Sequence, residues 1–245
     1  MAKKHAKIRL FVEGSLGVGQ GIVVTKVQSN YLFSVMRLKT GDNVLLFNGK
    51  DGEWRAEVVE AGKRAGKLAC REQTAPLLMP PDLWLLFAPI KKSRTAFIIE
   101  KATELGAARI MPVLTRYTNM GRIQIDRLRA YAMEATEQCG GNFVPEVCDL
   151  QNLDDVLADW PEDRQLMFCD ENREALPAVQ ALAKSKGGSW AIIIGPEGGF
   201  STTETAQLRA MPQVTSVTLG PRILRADTAA VAALTAWQSV LGDWN

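Results

Sequence analysis

The chain has 245 residues, of which 47% are apolar and 23% charged, with a formal net charge of +2. This is the make-up of a folded globular protein, and no apolar run approaches the roughly 18 residues that cross a bilayer. The start, Met1-Ala-Lys-Lys-His-Ala-Lys7, is basic but lacks the apolar core of a secretory signal. Cys70, Cys139, Cys148 and Cys169 form no CxxC pair and His5 is the single histidine. A Cys/His zinc site and a Ser-His-Asp triad are therefore disfavoured, no metal is expected, and the scattered thiols suit a reducing cytoplasm.

Residues 1–75 hold 13 Lys and Arg against 7 Asp and Glu, whereas residues 76–245 hold 16 against 20. Taken alone, the basic excess fits either a polyanionic partner or a solvated surface. Within that first stretch, residues 31–38 read as one short helix and 44–47 as an apolar strand. Asn48-Gly49 through Asp51-Gly52 is a hairpin signal, and 54–59 alternate as a strand. The pattern predicts a small barrel over residues 1–75. Pro76, Pro80 and Pro81 then mark an extended connector into a second domain, 76–245.

Beyond the connector, strands and helices alternate. Residues 83–88, 110–114 and 166–169 read as strands, the last running into Asp170-Glu171. Residues 94–105, 127–138, 153–158 and 174–184 read as helices, with Pro177 tolerable near a first turn. Residues 190–194 are unbroken apolar, the mark of a fully covered parallel strand. The alternation predicts an α/β domain with a mostly parallel sheet covered on both faces.

Two glycine loops follow. Gly195-Pro-Glu-Gly-Gly-Phe-Ser-Thr-Thr-Glu204 breaks the strand and enters a helix through the capping-box pair Ser201 and Glu204. A strand over 214–219 breaks again at Gly220-Pro221, and Asp227 or Thr228 is expected to cap a last helix reaching about residue 241. Two such loops on one side of an open sheet form a crevice that takes ligands. Neither is a phosphate fingerprint: Glu197 would repel a pyrophosphate and no lysine follows to offset it. Taken singly, each loop reads better as a tight strand-to-helix turn, and it is the two in tandem that favour a ligand crevice.

GPEGGFSTTE together with Leu219-Gly-Pro-Arg-Ile-Leu-Arg-Ala-Asp-Thr-Ala-Ala230 resembles the signature of the ribosomal RNA small subunit methyltransferase E family. Residues 90–106, Glu137-Gln-Cys-Gly140 and the segments 31–42 and 45–49 resemble it as well, so the likeness spans nearly the whole chain. The resemblance implies a small PUA-like RNA-binding β-barrel over 1–75 and a SPOUT α/β-knot domain over 76–245. It also implies a cytoplasmic homodimer, S-adenosylmethionine as methyl donor, and N3 of a uridine in 16S ribosomal RNA as acceptor. Other RNA methyltransferases of this knotted class, acting on transfer RNA or on ribose 2′-oxygen, and a non-catalytic RNA-binding assembly factor remain as alternatives.

Carried onto this chain, the resemblance implies a cofactor site of Cys169, Asp170, Glu171, Gly195, Pro196, Glu197, Gly198, Gly199, Leu219, Gly220, Ile223 and Leu224. Methylating N3 requires loss of the imide proton and in-line attack on a sulfonium methyl, with the reacting atoms about 3–3.5 Å apart. Negative charge developing on the flanking carbonyl oxygens calls for a fixed cation, and Arg225 is the first candidate. Glu137 and Gln138 are candidates for holding the base edge, while Glu197, Glu137 and Asp227 stay open as proton acceptors. RNA contacts are expected from Arg9, Arg37, Lys39, Arg94, Arg116 and Arg222. One departure stands out: Gly141-Asn142-Phe143 follows EQCG where the family commonly carries arginines.

Overall fold

The computed structural model describes residues 8–62, 64–120, 122–170 and 175–244. Its contacts divide the chain into two compact units, Met1–Met79 with Thr136–Val144, and Pro80–Ala135 with Pro145–Asn245. Residues 76–79 of the connector and the EQCG turn thus group with the first unit. Asn142 is the reason at the residue level, because its buried side chain accepts the N–H of Leu78 at 3.0 Å and donates to the carbonyl of Pro76 at 2.7 Å.

The first unit holds β1 (Arg9–Phe11), β2 (Gly21–Val24), α1 (Lys26–Ser29), β3 (Asn43–Phe47), β4 (Glu53–Glu60) and β5 (Gly66–Ala75). They form a curled half-barrel in the order β1-β3-β4-β5-β2, with β1 parallel to β3 and the remaining pairs antiparallel. Leu10, Ile22, Leu32, Val44, Leu46, Ala56, Val58 and Leu68 are buried together in its core. The β3–β4 turn needs glycine at 52, where φ is 77° and a Cβ would lie 2.4 Å from the carbonyl oxygen of Ala75. The helix expected at 31–38 starts earlier. A capping box of Thr25 and Gln28 opens α1, which runs on as a π-helical stretch, Asn30–Val35.

The second unit contains β6 (Leu83–Phe87), α2 (Lys92–Glu104), β7 (Arg109–Leu114), α3 (Ile125–Cys139), β8 (Glu146–Val147), β9 (Gln151–Asn152) and α4 (Leu153–Ala158). These are followed by β10 (Gln165–Cys169), α5 (Ala178–Leu182), β11 (Trp190–Ile194), α6 (Thr202–Ala210), β12 (Val214–Val217) and α7 (Ala226–Val240). The last turn of α3 belongs to the first unit. Sheet order is β12-β10-β11-β6-β7-β8, with β9 also on β7, and every pairing is parallel. Because side chains alternate across a strand, Ala191 and Ile193 of β11 pack with Leu153, Leu157 and Leu208 of α4 and α6. Trp190, Ile192 and Ile194 point to the opposite face, where α7 meets β11 and α2. Both faces are therefore covered, and β11 is buried along its whole length.

In this unit α2 and α3 differ from expectation by one or two residues at each end, and the boundaries of α5 and α7 differ for identifiable reasons. Pro177, which has no N–H to donate, forms the N-cap of α5, so that helix is Ala178–Leu182 rather than 174–184; residue 174 lies outside the described residues. α7 begins at Ala226 with Arg225 at the N-cap, so neither Asp227 nor Thr228 caps it. Asp227 sits in the first turn instead, taking the N–H of Thr228 and an ion pair from Arg94 at 3.8 Å.

Candidate functional site

The site lies at the carboxyl ends of three adjacent strands, β12, β10 and β11, as expected for an open parallel sheet. β10 ends at Cys169, paired with Val217 of β12, and leads into Asp170; β11 ends at Ile194 and leads into Gly195. A cavity of about 240 Å³ opens between the loops that leave these strands. Its lining brings together Cys169, Asp170, Gly195, Pro196, Glu197, Gly199, Leu219, Gly220, Arg222, Ile223, Leu224 and Arg225. These residues come from three chain segments, and all but Glu171 and Gly198 of the expected cofactor set are among them. Glu171 lies outside the described residues, and Gly198 sits on the same loop but turns its bare α-carbon toward Tyr117.

Each loop is fixed by local chemistry. A Cβ at Gly195 would meet the Phe200 ring at 2.8 Å, and that ring packs edge-on against Phe168, so the strand-to-loop bend closes only with glycine. Gly199 has φ of 68°. The Ser201–Glu204 capping box forms as expected and starts α6. On the second loop, Thr218 donates its N–H to Leu176 and accepts that of Ala178, which ties the end of β12 to the head of α5. Gly220 has φ of 115°, and no heavy atom comes within 4 Å of where its Cβ would be, so the cavity stays open beside it.

The electrostatics divide the site. Asp170 is buried, and its carboxylate accepts from Arg209 Nε at 3.0 Å and from a second guanidinium nitrogen of the same side chain. Burial pushes the Cys169 thiol up to about 12, so it stays protonated and unreactive at neutral pH. Glu197, Arg222 and Arg225 are exposed. Arg225 gives no side-chain cap to α7, so the positive end of that helix faces the cavity rim beside two guanidinium groups. Sequence reasoning missed Ile194, Phe200, Thr218, Ala226 and Ala229 as lining residues. Ile194 and Thr218 immediately precede the two motifs, whereas Phe200, Ala226 and Ala229 lie inside them, where their apolar character reads as core.

The remaining expected residues lie elsewhere. In the first unit, Arg9 ion-pairs Glu53 at 2.9 Å, stacks over Phe47 and donates to the carbonyls of Thr136, Glu137 and Gly141. Its guanidinium is thus engaged within the first unit. Glu137 accepts the N–H of Phe11 at 2.8 Å, and Gln138 is exposed. Neither lines the cavity. Arg37 and Lys39 are exposed, and Arg37 adopts φ of 57°, unusual for a residue with a side chain. In the second unit, Arg94 is engaged with Asp227, whereas Arg116 is exposed with its backbone N–H on Glu204. Among the described residues, no group of three or more His, Cys, Asp or Glu could hold a metal, and no helix is long and apolar enough to cross a membrane.

Two family models match the chain, an RNA methyltransferase domain over residues 78–238 and an RNA methyltransferase PUA domain over residues 24–68. The chain is 32% identical over 206 residues to a ribosomal RNA small subunit methyltransferase E from Rickettsia conorii, covering 84% of each chain. It is 28% identical over 225 residues to that of Bacillus subtilis, covering 87% of this chain and 88% of the relative. Among solved structures, a ribosomal RNA small subunit methyltransferase E from Neisseria gonorrhoeae bound to S-adenosyl methionine superposes with a TM-score of 0.87 at 26% identity, covering 98% of this chain and 100% of that one.

Proposed function

The chain belongs to the ribosomal RNA small subunit methyltransferase E family, and on that premise we propose that it methylates N3 of a uridine in 16S ribosomal RNA. Its methyl donor is S-adenosylmethionine. The observation that carries the reading is the meeting of the two Gly-Pro loops, which leave β11 and β12 on either side of β10, around one cavity.

The residues present suit that donor. Leu219, Leu224, Ala226 and Ala229 supply apolar walls for a flat adenine, and the open side of Gly220 leaves room for close backbone approach. Glu197 offers a carboxylate to a cationic ligand, and the uncapped start of α7 with Arg222 suits a ligand carboxylate. When bound, the donor supplies an electrophilic methyl group on a sulfonium.

The protein's part is placement and charge. Arg225, held at the N-cap of α7, faces the negative charge that develops on the uracil carbonyl oxygens, and the dipole of α7 adds to it. The family likeness assigns the base edge to Glu137 and Gln138, of which Gln138 is exposed and Glu137 takes the Phe11 N–H. Arg37, Lys39, Arg116 and Arg222 track the RNA backbone, while Arg9 and Arg94 support the fold. The family likeness also supports a cytoplasmic homodimer, with the strand inserted between β10 and β6 taking part in a knotted C-terminal domain.

Calorimetric titration with S-adenosylhomocysteine separates this enzyme from an RNA-binding factor without catalysis. Saturable binding, weakened by Gly220→Val, is expected; no heat at saturating ligand would leave only the RNA-binding role.

A further inference from the structure

Next to the cavity, a feature outside both glycine motifs combines rigidity with exposed aromatic chemistry. Residues 115–118 form a tight turn after β7. Thr118 donates its N–H to the Thr115 carbonyl at 3.1 Å, and Thr115 donates its own to Thr118 Oγ1 at 2.9 Å. The turn is pinned from outside by a buried carboxylate. Glu204 accepts the Arg116 N–H on Oε1 at 2.7 Å, while its Oε2 takes both the N–H and the hydroxyl of Ser201 at 2.8 Å. The group that caps α6 therefore also clamps this turn to the end of the Gly195–Gly199 loop.

The two residues at the tip, Arg116 and Tyr117, both face solvent, with Tyr117 48% exposed. Tyr117 lies along the bare backbone of Gly198, where a Cβ would come within 3.2 Å of the tyrosine Cβ and 3.7 Å of its ring. An exposed ring on a fixed backbone, beside a cation and against the cavity loop, is a ready stacking platform. Every nucleobase has a π-face to lay on it, and little conformational freedom is left to lose. Chemistry at N3, on the Watson–Crick edge, requires a base out of its pair, and such a base needs a surface to rest on.

We propose that Tyr117 is a substrate-binding residue on which an unpaired RNA base stacks beside the methyl-donor cavity, with Arg116 taking the adjoining phosphate. The inference rests on the function proposed above and extends it to a subsite.

The test is RNA affinity, read with fluorescent small-subunit ribosomal RNA in the presence of S-adenosylhomocysteine. Tyr117→Ala should weaken RNA binding about fivefold or more, Tyr117→Phe should stay within about twofold of wild type because the ring remains, and affinity for S-adenosylhomocysteine should not change. Arg116→Ala should lower the slope of log affinity against log salt by about one. Equal RNA binding by wild type and Tyr117→Ala would overturn the assignment. So would an equal loss of S-adenosylhomocysteine affinity, because Tyr117 would then merely support the Gly198 loop. Wild-type protein that transfers no methyl group, yet binds RNA in a Tyr117-dependent way, would refute the enzymatic reading and leave the stacking subsite in place.

Discussion

Arg225 sits where a helix begins and a cavity ends, and the two facts together give it a separable role. Its side chain makes no cap to α7, so replacing it removes a charge without undoing the helix. Arg225→Ala should leave S-adenosylhomocysteine affinity nearly intact while methyl transfer falls at least about tenfold, roughly 1.4 kcal/mol. Equal losses in both would make it a donor-binding residue. Cys169 gives a second expectation. With its thiol held up at about 12, it should resist iodoacetamide at pH 8, whereas the exposed Cys139 is alkylated, as peptide mass spectrometry can show. The arginines mark where sequence reading stops. A Gly-Pro loop declares itself through its own backbone needs, whereas the use of a cation depends on partners far along the chain. Glu53, which neutralises Arg9, is 44 residues away, and Asp227 lies on a different helix from Arg94. Nothing local separates those two from Arg116, whose side chain is exposed.

At the level of elements, the strands around the site and the head of α6 were legible because their signals are contiguous. Five apolar residues in a row gave β11 with its observed ends, and Ser201 with Glu204 gave the α6 cap. The starts of α1 and α7 were missed for opposite reasons. A capping box at Thr25 and Gln28 went unread, and at α7 an attractive capping residue, Asp227, lies in the first turn, where it pairs with Arg94. The α6 cap can be tested directly. Ser201→Ala should cost about 1 kcal/mol in urea unfolding, since one helix-end donor loses its acceptor. Gly195→Ala should do more harm, because the new methyl meets the Phe200 ring rather than a flexible side-chain end. It should lower both the urea midpoint and S-adenosylhomocysteine affinity; a midpoint unchanged from wild type would mean that the ring can move aside.

Across the whole molecule, the second unit separates stability from chemistry at opposite ends of one sheet. At the amino ends of β6, β10 and β11, Arg164 is buried, stacks on Trp84, and donates to Trp190 and to the Asp82 carboxylate at 2.7 Å. Burial pushes the Asp82 carboxyl up, but hydrogen bonds from Arg164, Ser189 and Trp84 outweigh it, so the group sits below its ordinary value. A depressed carboxyl stabilises the fold above its unfolded value of about 4, and that contribution is lost as pH falls through the folded value. Asp82→Asn should therefore be less stable than wild type at pH 7, and should lose less on acidification from pH 5 to pH 3, as urea midpoints at each pH can show. Parallel slopes would rule the pair out as a source of acid sensitivity. The carboxyl ends carry the cavity, and the contrast between the two ends could not be read from composition, because it depends on β11 lying between β10 and β6.

The account as a whole stands on methyl transfer to one base position. Nucleoside mass spectrometry of small-subunit ribosomal RNA, taken from cells lacking this chain and then incubated with the purified protein and S-adenosylmethionine, measures it. The expected result is N3-methyluridine, absent before incubation and present afterwards at close to one per RNA. Its presence before incubation, or the appearance of a methyl group only on ribose or on transfer RNA, would contradict the account.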